Sequence, residues 1–269
     1  MKIIVSHDVD HYQFTEHYLR DLIVIKHFAR SYLEKFLGKI SWKEFFLRHT
    51  SIFYNKMNNV KEILEFNESV GIKSTFFFGM NRGLGLNYNY KDLADLVKYV
   101  NDKGFEVGVH GIEYNDLVKI KMEFNRFKEI SGLEQYGIRM HYLRHDNSTL
   151  GYLAETGYMY DSTLTDFDIA TKRDGIFEFP VHIMDCLIIN GAKGYQELNL
   201  EQSKLKTLEI FDEAKKKKIN YFSLLFHDCY FSDSFSTWKG WYIWFIKYLI
   251  DNNFEFVTYR DAVKELKIK

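Results

Sequence analysis

Short runs rich in β-branched and aromatic residues alternate with helix-period segments along almost the whole chain, and this alternation leaves few folds open. The β-type runs cover residues 2–6, 74–78, 105–109, 138–143, 158–160, 177–183, 221–226 and 254–258. Between most of them apolar positions recur at helical spacing, over 57–69, 91–102, 116–130, 200–217, 238–251 and 260–266. Glycine closes several of these helices, as in Ser69-Val70-Gly71 and Lys103-Gly104, where it can take a left-handed cap. Strand–helix alternation calls for parallel strands with helical crossovers. Roughly seven or eight such units over about 250 residues match a closed barrel. The expected class is therefore α/β, a (β/α)7–8 barrel. A doubly wound open sheet is the runner-up, because periodicity does not reveal closure.

One segment breaks the rhythm. Residues 12–56 hold two helical stretches, 12–37 and 41–54, before the second strand, and read as a helical insertion after the first. In a barrel, such an insertion rises from the face where strands end and helps wall the active site. Its aromatic residues (Tyr12, Phe14, Tyr18, Phe28, Tyr32, Phe36, Trp42, Phe45 and Phe46) are expected to pack into core, the ordinary fate of such side chains. There is no repeat, no low-complexity tract and one proline, Pro180, so residues 1–269 are expected to form one domain.

Composition mainly excludes. A net charge of −1 gives no reason to expect nucleic acid as a partner, and Lys215 to Lys218 read as the solvated end of a helix. Two cysteines, Cys186 and Cys229, do not make a disulfide framework. The opening MKIIVSHDVD is too short an apolar run for a signal peptide. The most apolar stretch, 241–250, is about half a membrane span and contains Lys247. A soluble, cytoplasmic protein is expected, and peripheral membrane association is compatible with the sequence. The oligomeric state is not specified.

Six histidines fall at or just past the ends of the expected strands: His7, His11, His110, His141, His145 and His227. Barrel enzymes keep their chemistry at that rim. In Ser6-His7-Asp8-Val9-Asp10-His11 the alternation of an extended strand puts Asp8 and Asp10 on one face. Two nearby carboxylates repel unless a cation or a proton intervenes. One solution is a divalent metal on Asp10 with Asp8 free as a base. The competing reading is a loop-start pair that caps the next helix. Three further clusters are 108–115 around His110, 139–146 around Arg139 and His141, and 224–228, where an apolar strand ends in His227-Asp228.

Taken in order, these clusters resemble the motifs of the polysaccharide deacetylase family (NodB homology, carbohydrate esterase family 4-like), and most closely its intracellular surface-polysaccharide branch. Asp8-Val9-Asp10 resembles the first motif, a base Asp and a metal Asp. His110 stands where the second motif supplies a metal histidine. Arg139-Met140-His141-Tyr142 resembles the third motif, in which the Arg orients the base and the Tyr backbone amide faces the oxyanion. Leu224 to His227 resemble the fifth motif, whose histidine protonates the leaving amine. Tyr160-Asp161-Ser162-Thr163-Leu164 is similar to a family segment near the site. The matches run from residue 4 to about 228 and leave out the 12–56 insertion and the tail.

The resemblance implies a distorted barrel of the NodB type and hydrolysis of an N-acetylated amino sugar. The cofactor it implies is a divalent metal, zinc before others. The expected catalytic residues are Asp8, Arg139 and His227, with Asp161 or Asp228 orienting the His227 ring. Tyr142, Arg144 and Asp161 are the candidate substrate contacts. Arg144 is weighed against a surface role, and Glu178 is expected to face solvent. Two departures stand out. Tyr114 occupies the place of the second motif's other metal histidine, and His141 replaces the third motif's proline. The expected metal ligands are therefore Asp10, His110 and His141, with His11, Tyr114 and Asn115 as weaker candidates. The expected substrate is a nucleotide- or lipid-linked sugar. The rivals are a non-catalytic sugar-binding relative, favoured by Tyr114, and a hydrolase of another small amide such as an N-formyl sugar or a cyclic imide.

Overall fold

A computed structural model describes residues 1–18, 20–191 and 193–268. Among these, nine strands form one sheet: β1 (Lys2–Val9), β2 (Thr75–Gly79), β3 (Glu106–Gly111), β4 (Ile138–Met140), β5 (Tyr160–Asp161), β6 (Thr171–Arg173), β7 (Ile176–Glu178), β8 (Val181–Met184) and β9 (Tyr221–Leu225). Their order is β6-β7-β5-β4-β3-β2-β1-β9-β8. Every pairing is parallel except the β6–β7 hairpin. Parallel strands need cover on both faces, and β1, β2 and β3 are buried along almost their entire length.

The sheet curls until its two sides meet. β7 pairs with β5 on one side, β8 pairs with β9 on the other, and only Phe179 and Pro180 separate them. Two residues cannot span an open sheet. One stretch of chain therefore closes the gap, and the result is a distorted (β/α) barrel. Pro180 lies at the changeover: Phe179 N still donates to Asp161 O at 3.0 Å, and Val181 N turns to Leu164 O at 2.7 Å. Without an N–H, Pro180 cannot continue a ladder, so the single strand expected over 177–183 becomes two.

The helices are α1 (Ile23–Phe36), α2 (Trp42–Thr50), α3 (Val60–Ser69), α4 (Ala94–Asp102), α5 (Leu117–Ser131), α6 (Thr149–Thr156), α7 (Asp185–Ile189), α8 (Leu200–Lys216), α9 (Ser236–Asp251) and α10 (Tyr259–Ile268). Between strands they form the outer layer. Beyond the expected elements stand the short α6 and α7 and the β6–β7 hairpin, whose Asp174-Gly175 turn is a recognised signal; both residues have positive φ, 47° and 92°. The strand expected over 138–143 stops at Met140, because Tyr142 and Leu143 turn left-handed at φ 57° and 52°. The run at 254–258 contributes only an isolated bridge between Ile3 and Phe256.

The insertion forms α1 and α2, the second started by a capping box between Ser41 and Glu44. Buried Glu34 fastens it. Its carboxylate meets Arg48 at 2.5 Å and Arg30 at 2.7 Å and accepts from Gln196 N at 2.6 Å. Arg48 also donates to Ser234 O. The core expectation holds for Phe14 and Phe45, which are buried. It fails for Tyr18, Tyr32, Phe36, Trp42 and Phe46, which are 49%, 61%, 89%, 62% and 60% exposed. Two helices laid across a barrel rim have only one side facing protein, and Tyr32, Phe36, Trp42 and Phe46 stand on the other, while Tyr18 lies in the turn before α1.

Candidate active site

The parity of β1 sets the site. Odd positions turn away, so His7 is buried on the far side, where Nδ1 meets Phe226 O at 3.0 Å and burial pushes its pKa down to about 3. Asp8 and Asp10 turn to the barrel mouth. His110 at the end of β3 and His141 just past β4 meet Asp10 there, and the three offer ligand atoms all within 4.8 Å of one another. His110 Nε2 is 3.0 Å from His141 Nδ1 and 3.1 Å from Asp10 Oδ1, and His141 Nδ1 is 3.4 Å from that oxygen.

Backbone carbonyls fix both tautomers. His110 Nδ1 lies 3.1 Å from Arg139 O, and His141 Nε2 lies 3.1 Å from Leu84 O. A carbonyl only accepts, so those nitrogens carry the protons and the other two present lone pairs. Two lone pairs and a carboxylate oxygen then face one another in a buried pocket, an arrangement that either a cation or a proton at its centre relieves. Among the described residues Asp10 Oδ1 accepts no well-formed hydrogen bond. Ligand atoms about 2.0–2.1 Å from a tetrahedral ion sit roughly 3.3 Å apart, close to the separations found. The residues fit a divalent cation. Burial opposes charge on His110, but the Asp8 and Asp10 carboxylates outweigh it and raise its pKa. Burial also disfavours charge on Asp10, yet His110 and His141 hold its carboxyl well below the usual range. The negative potential that draws a proton here serves a cation equally.

Asp8 lies beside this cluster. Arg139 Nη1 donates to Asp8 Oδ1 at 3.0 Å, while Asp8 Oδ2 is 3.8 Å from His110 Nε2. The fully buried guanidinium is immobilised by Ser162 O and Oγ, each at 2.9 Å, and by the Tyr259 hydroxyl at 2.7 Å. On the opposite side His227 Nε2 is 3.8 Å from Asp10 Oδ2. Its Nδ1 donates to Asp185 Oδ1 at 2.8 Å, and its backbone N–H donates to the other carboxylate oxygen at 2.8 Å. Burial works against charge on this ring, but the Asp185 carboxylate prevails and holds its pKa well above the ordinary histidine value.

Asp185 was not anticipated, although the signal was present: an apolar strand, Val181–Met184, ends directly in an Asp, like the strand before His227. It replaces both expected partners of His227. Asp228 is buried, accepts from Asn59 N at 2.8 Å, and has its pKa pushed well up by burial. Asp161 is also corrected as a substrate contact. Its carboxylate is buried in the barrel wall, accepting from Thr163 Oγ1 at 2.6 Å beside Glu178, which is buried too rather than solvent-facing. Burial raises the pKa of both carboxyls. The Arg144 guanidinium donates to Ile112 O and lies over the Tyr114 ring at 5.0 Å. Tyr114 is partly buried under it. His145 is exposed at the surface. His11 lines the cavity, and burial takes its pKa down to about 4. The six rim histidines thus reduce to three that meet at Asp10.

A cavity of about 820 Å³ opens over this cluster. Asp10, His141 and the 69%-exposed Tyr142 line it, together with Ile23, Lys26, Leu47 and Tyr54 of the insertion.

No family model and no curated protein matches this sequence. Solved structures do. A protein assigned to the polysaccharide deacetylases, from Mycobacterium smegmatis, aligns over 99% of this chain and 90% of its own, with a TM-score of 0.65 and 17% identity. One similarly assigned, from Pseudomonas aeruginosa, aligns over 98% and 89%, with a TM-score of 0.64 and 13% identity. The chitin deacetylase of the fungus Colletotrichum lindemuthianum aligns over 95% and 84%, with a TM-score of 0.50 and 15% identity. The chain has the polysaccharide deacetylase fold, the one its motifs resemble.

Proposed function

We propose that the protein is a metal-dependent hydrolase that removes the N-acetyl group of an amino sugar. The observation that carries the reading is the set of lone pairs on Asp10, His110 and His141, flanked by an Arg-held carboxylate and an Asp-held imidazole. Two imidazoles and a carboxylate suit zinc, with a position left for water or substrate. Such a cation supplies Lewis-acid polarisation of the acetyl carbonyl and an acidified water. Asp8, with Oδ1 fixed by Arg139, takes the water's proton on Oδ2. The Tyr142 backbone N–H stabilises the oxyanion. His227 delivers a proton from Nε2 to the departing nitrogen, and Asp185 keeps the ring charged until then. The oxygen of the deprotonated water bonds to the acetyl carbon, the C–N bond breaks, and the products are acetate and a free amino sugar.

The substrate we favour is a cytoplasmic nucleotide- or lipid-linked precursor of a surface polysaccharide. Release of acetate from UDP-linked N-acetyl sugars and from chitin oligomers, measured with added zinc or cobalt, tests both statements. Turnover of the linked sugar that is lost in Asp8→Asn is the expected result. Activity on polymers alone overturns the substrate assignment. Failure to retain zinc or cobalt favours the sugar-binding reading, which Tyr114 supports.

A further inference from the structure

The insertion's outward face presents a surface that its fold does not use. Along α1 the exposed apolar residues Leu22, Ile25, Leu33 and Phe36 form one helical stripe. Tyr32 joins it to α2 through ring contacts: Tyr32 to Phe45 at 5.1 Å, Phe45 to Trp42 at 5.8 Å, and Trp42 to Phe46 at 6.0 Å. Phe53 follows α2 in sequence and is 84% exposed. Isolated exposed apolar residues need no explanation, but a continuous set of this kind marks an interaction surface.

Charge identifies the partner. The exposed charged residues of the 12–56 segment are Arg20, Lys26, Lys39, Lys43 and Lys56, the last paired with Glu62. Glu34 and Glu44 are buried in internal bonds, and Asp21 and Glu16 are partly buried, so no fully exposed acid offsets these cations within the segment. Aromatic rings among lysines match a lipid headgroup region, where rings enter the interface and amines reach anionic phosphates. Lys35 lies among them, its ammonium 4.2 Å from the Trp42 ring centroid and donating to Ile40 O. A second copy of the chain fits less well, because a two-fold contact sets this cationic patch against itself.

We propose that α1 and α2 dock the protein on an anionic lipid bilayer. The docking is peripheral: no helix among the described residues is long and apolar enough to cross a membrane. Ile23 and Lys26 of α1 also wall the main cavity, so a docked protein would take its sugar from a lipid carrier. That second point rests on the hydrolase reading, whereas docking is measured without it.

The test is co-sedimentation of the full chain with phosphatidylglycerol–phosphatidylcholine vesicles and with phosphatidylcholine vesicles alone. Binding to the anionic vesicles only, weakened by salt, is expected. Two paired variants, Phe36→Ser with Phe46→Ser and Lys39→Glu with Lys43→Glu, are each expected to weaken it by roughly tenfold or more. The lysine pair alters only exposed side chains and keeps the test decisive if the phenylalanine pair fails to fold. No sedimentation with anionic vesicles, or sedimentation that neither pair changes, overturns the proposal. Self-association that the phenylalanine pair abolishes, without vesicle binding, overturns it in favour of a second copy.

Discussion

The Arg139 carbonyl accepts from His110 and the Leu84 carbonyl from His141, so the site's chemistry depends on which ring nitrogen each backbone oxygen leaves free. Replacing His141 by Ala removes one of three lone pairs. Loss of an outer hydrogen-bond partner already costs a metal site about 10–100-fold in affinity. His141→Ala should therefore lower zinc affinity by more than roughly 100-fold, measured by competition with a chelator. Asp185→Asn tests the acid. The Asp185 carboxylate raises the His227 pKa, so the protonated ring persists to higher pH than an ordinary histidine. Without it the alkaline limb of the kcat/KM profile should move down by roughly one to three pH units. An unmoved limb would remove His227 from the role of acid. Asp8, Asp10, His110 and His227 were legible because strand parity and strand ends are written in the sequence, and Arg139 only through its motif's resemblance to a known family. Asp161 turned out to lie in the wall because sequence does not say whether a polar side chain beyond a short strand turns to the cleft or away from it.

Among the elements, the residue that leads into β4 lies so close to a β5 ring that a side chain is excluded there. A Cβ on Gly137 would lie 2.1–2.4 Å from ring carbons of Tyr160, which is itself fully buried. Gly137→Ala should cost about 1–3 kcal/mol through overpacking, read as a lower urea midpoint with an unchanged m-value. Because β4 leads into His141, metal affinity should fall with it. Most long helices and central strands were visible as periodicity, since 3.6-residue and two-residue repeats are local properties. The elements missed were the short ones, and their positions depend on partners far along the chain. Pro180 was visible, but its consequence, one segment divided between two edges of the sheet, follows from closure and not from the local sequence. The insertion's aromatic residues were misread for a similar reason: composition records apolar surface without recording whether anything covers it.

The whole molecule stakes part of its stability on buried acids. Glu123 on α5 accepts the Ile112 N–H with both oxygens at 3.2 Å, just beyond the strand that carries His110. Burial raises its pKa to about 8 from 4.5. The native state holds this proton where the unfolded chain releases it, so the contribution is complete below about pH 4.5 and is lost as pH rises toward 8. Glu123→Gln should flatten the decline in urea midpoint across that window, and an unaltered slope would assign it to other groups. Asp161 and Glu178 add to the trend in the same direction. These acids stiffen the frame from which four separate strand ends deliver Asp10, His110, His141 and His227 to one point. Diffraction at the zinc absorption edge from zinc-loaded crystals tests that convergence most directly. The expected result is one anomalous peak about 2.0–2.2 Å from Asp10, His110 Nε2 and His141 Nδ1. A zinc-saturated protein with no peak there, or with His141 more than about 4 Å from the ion, would contradict it.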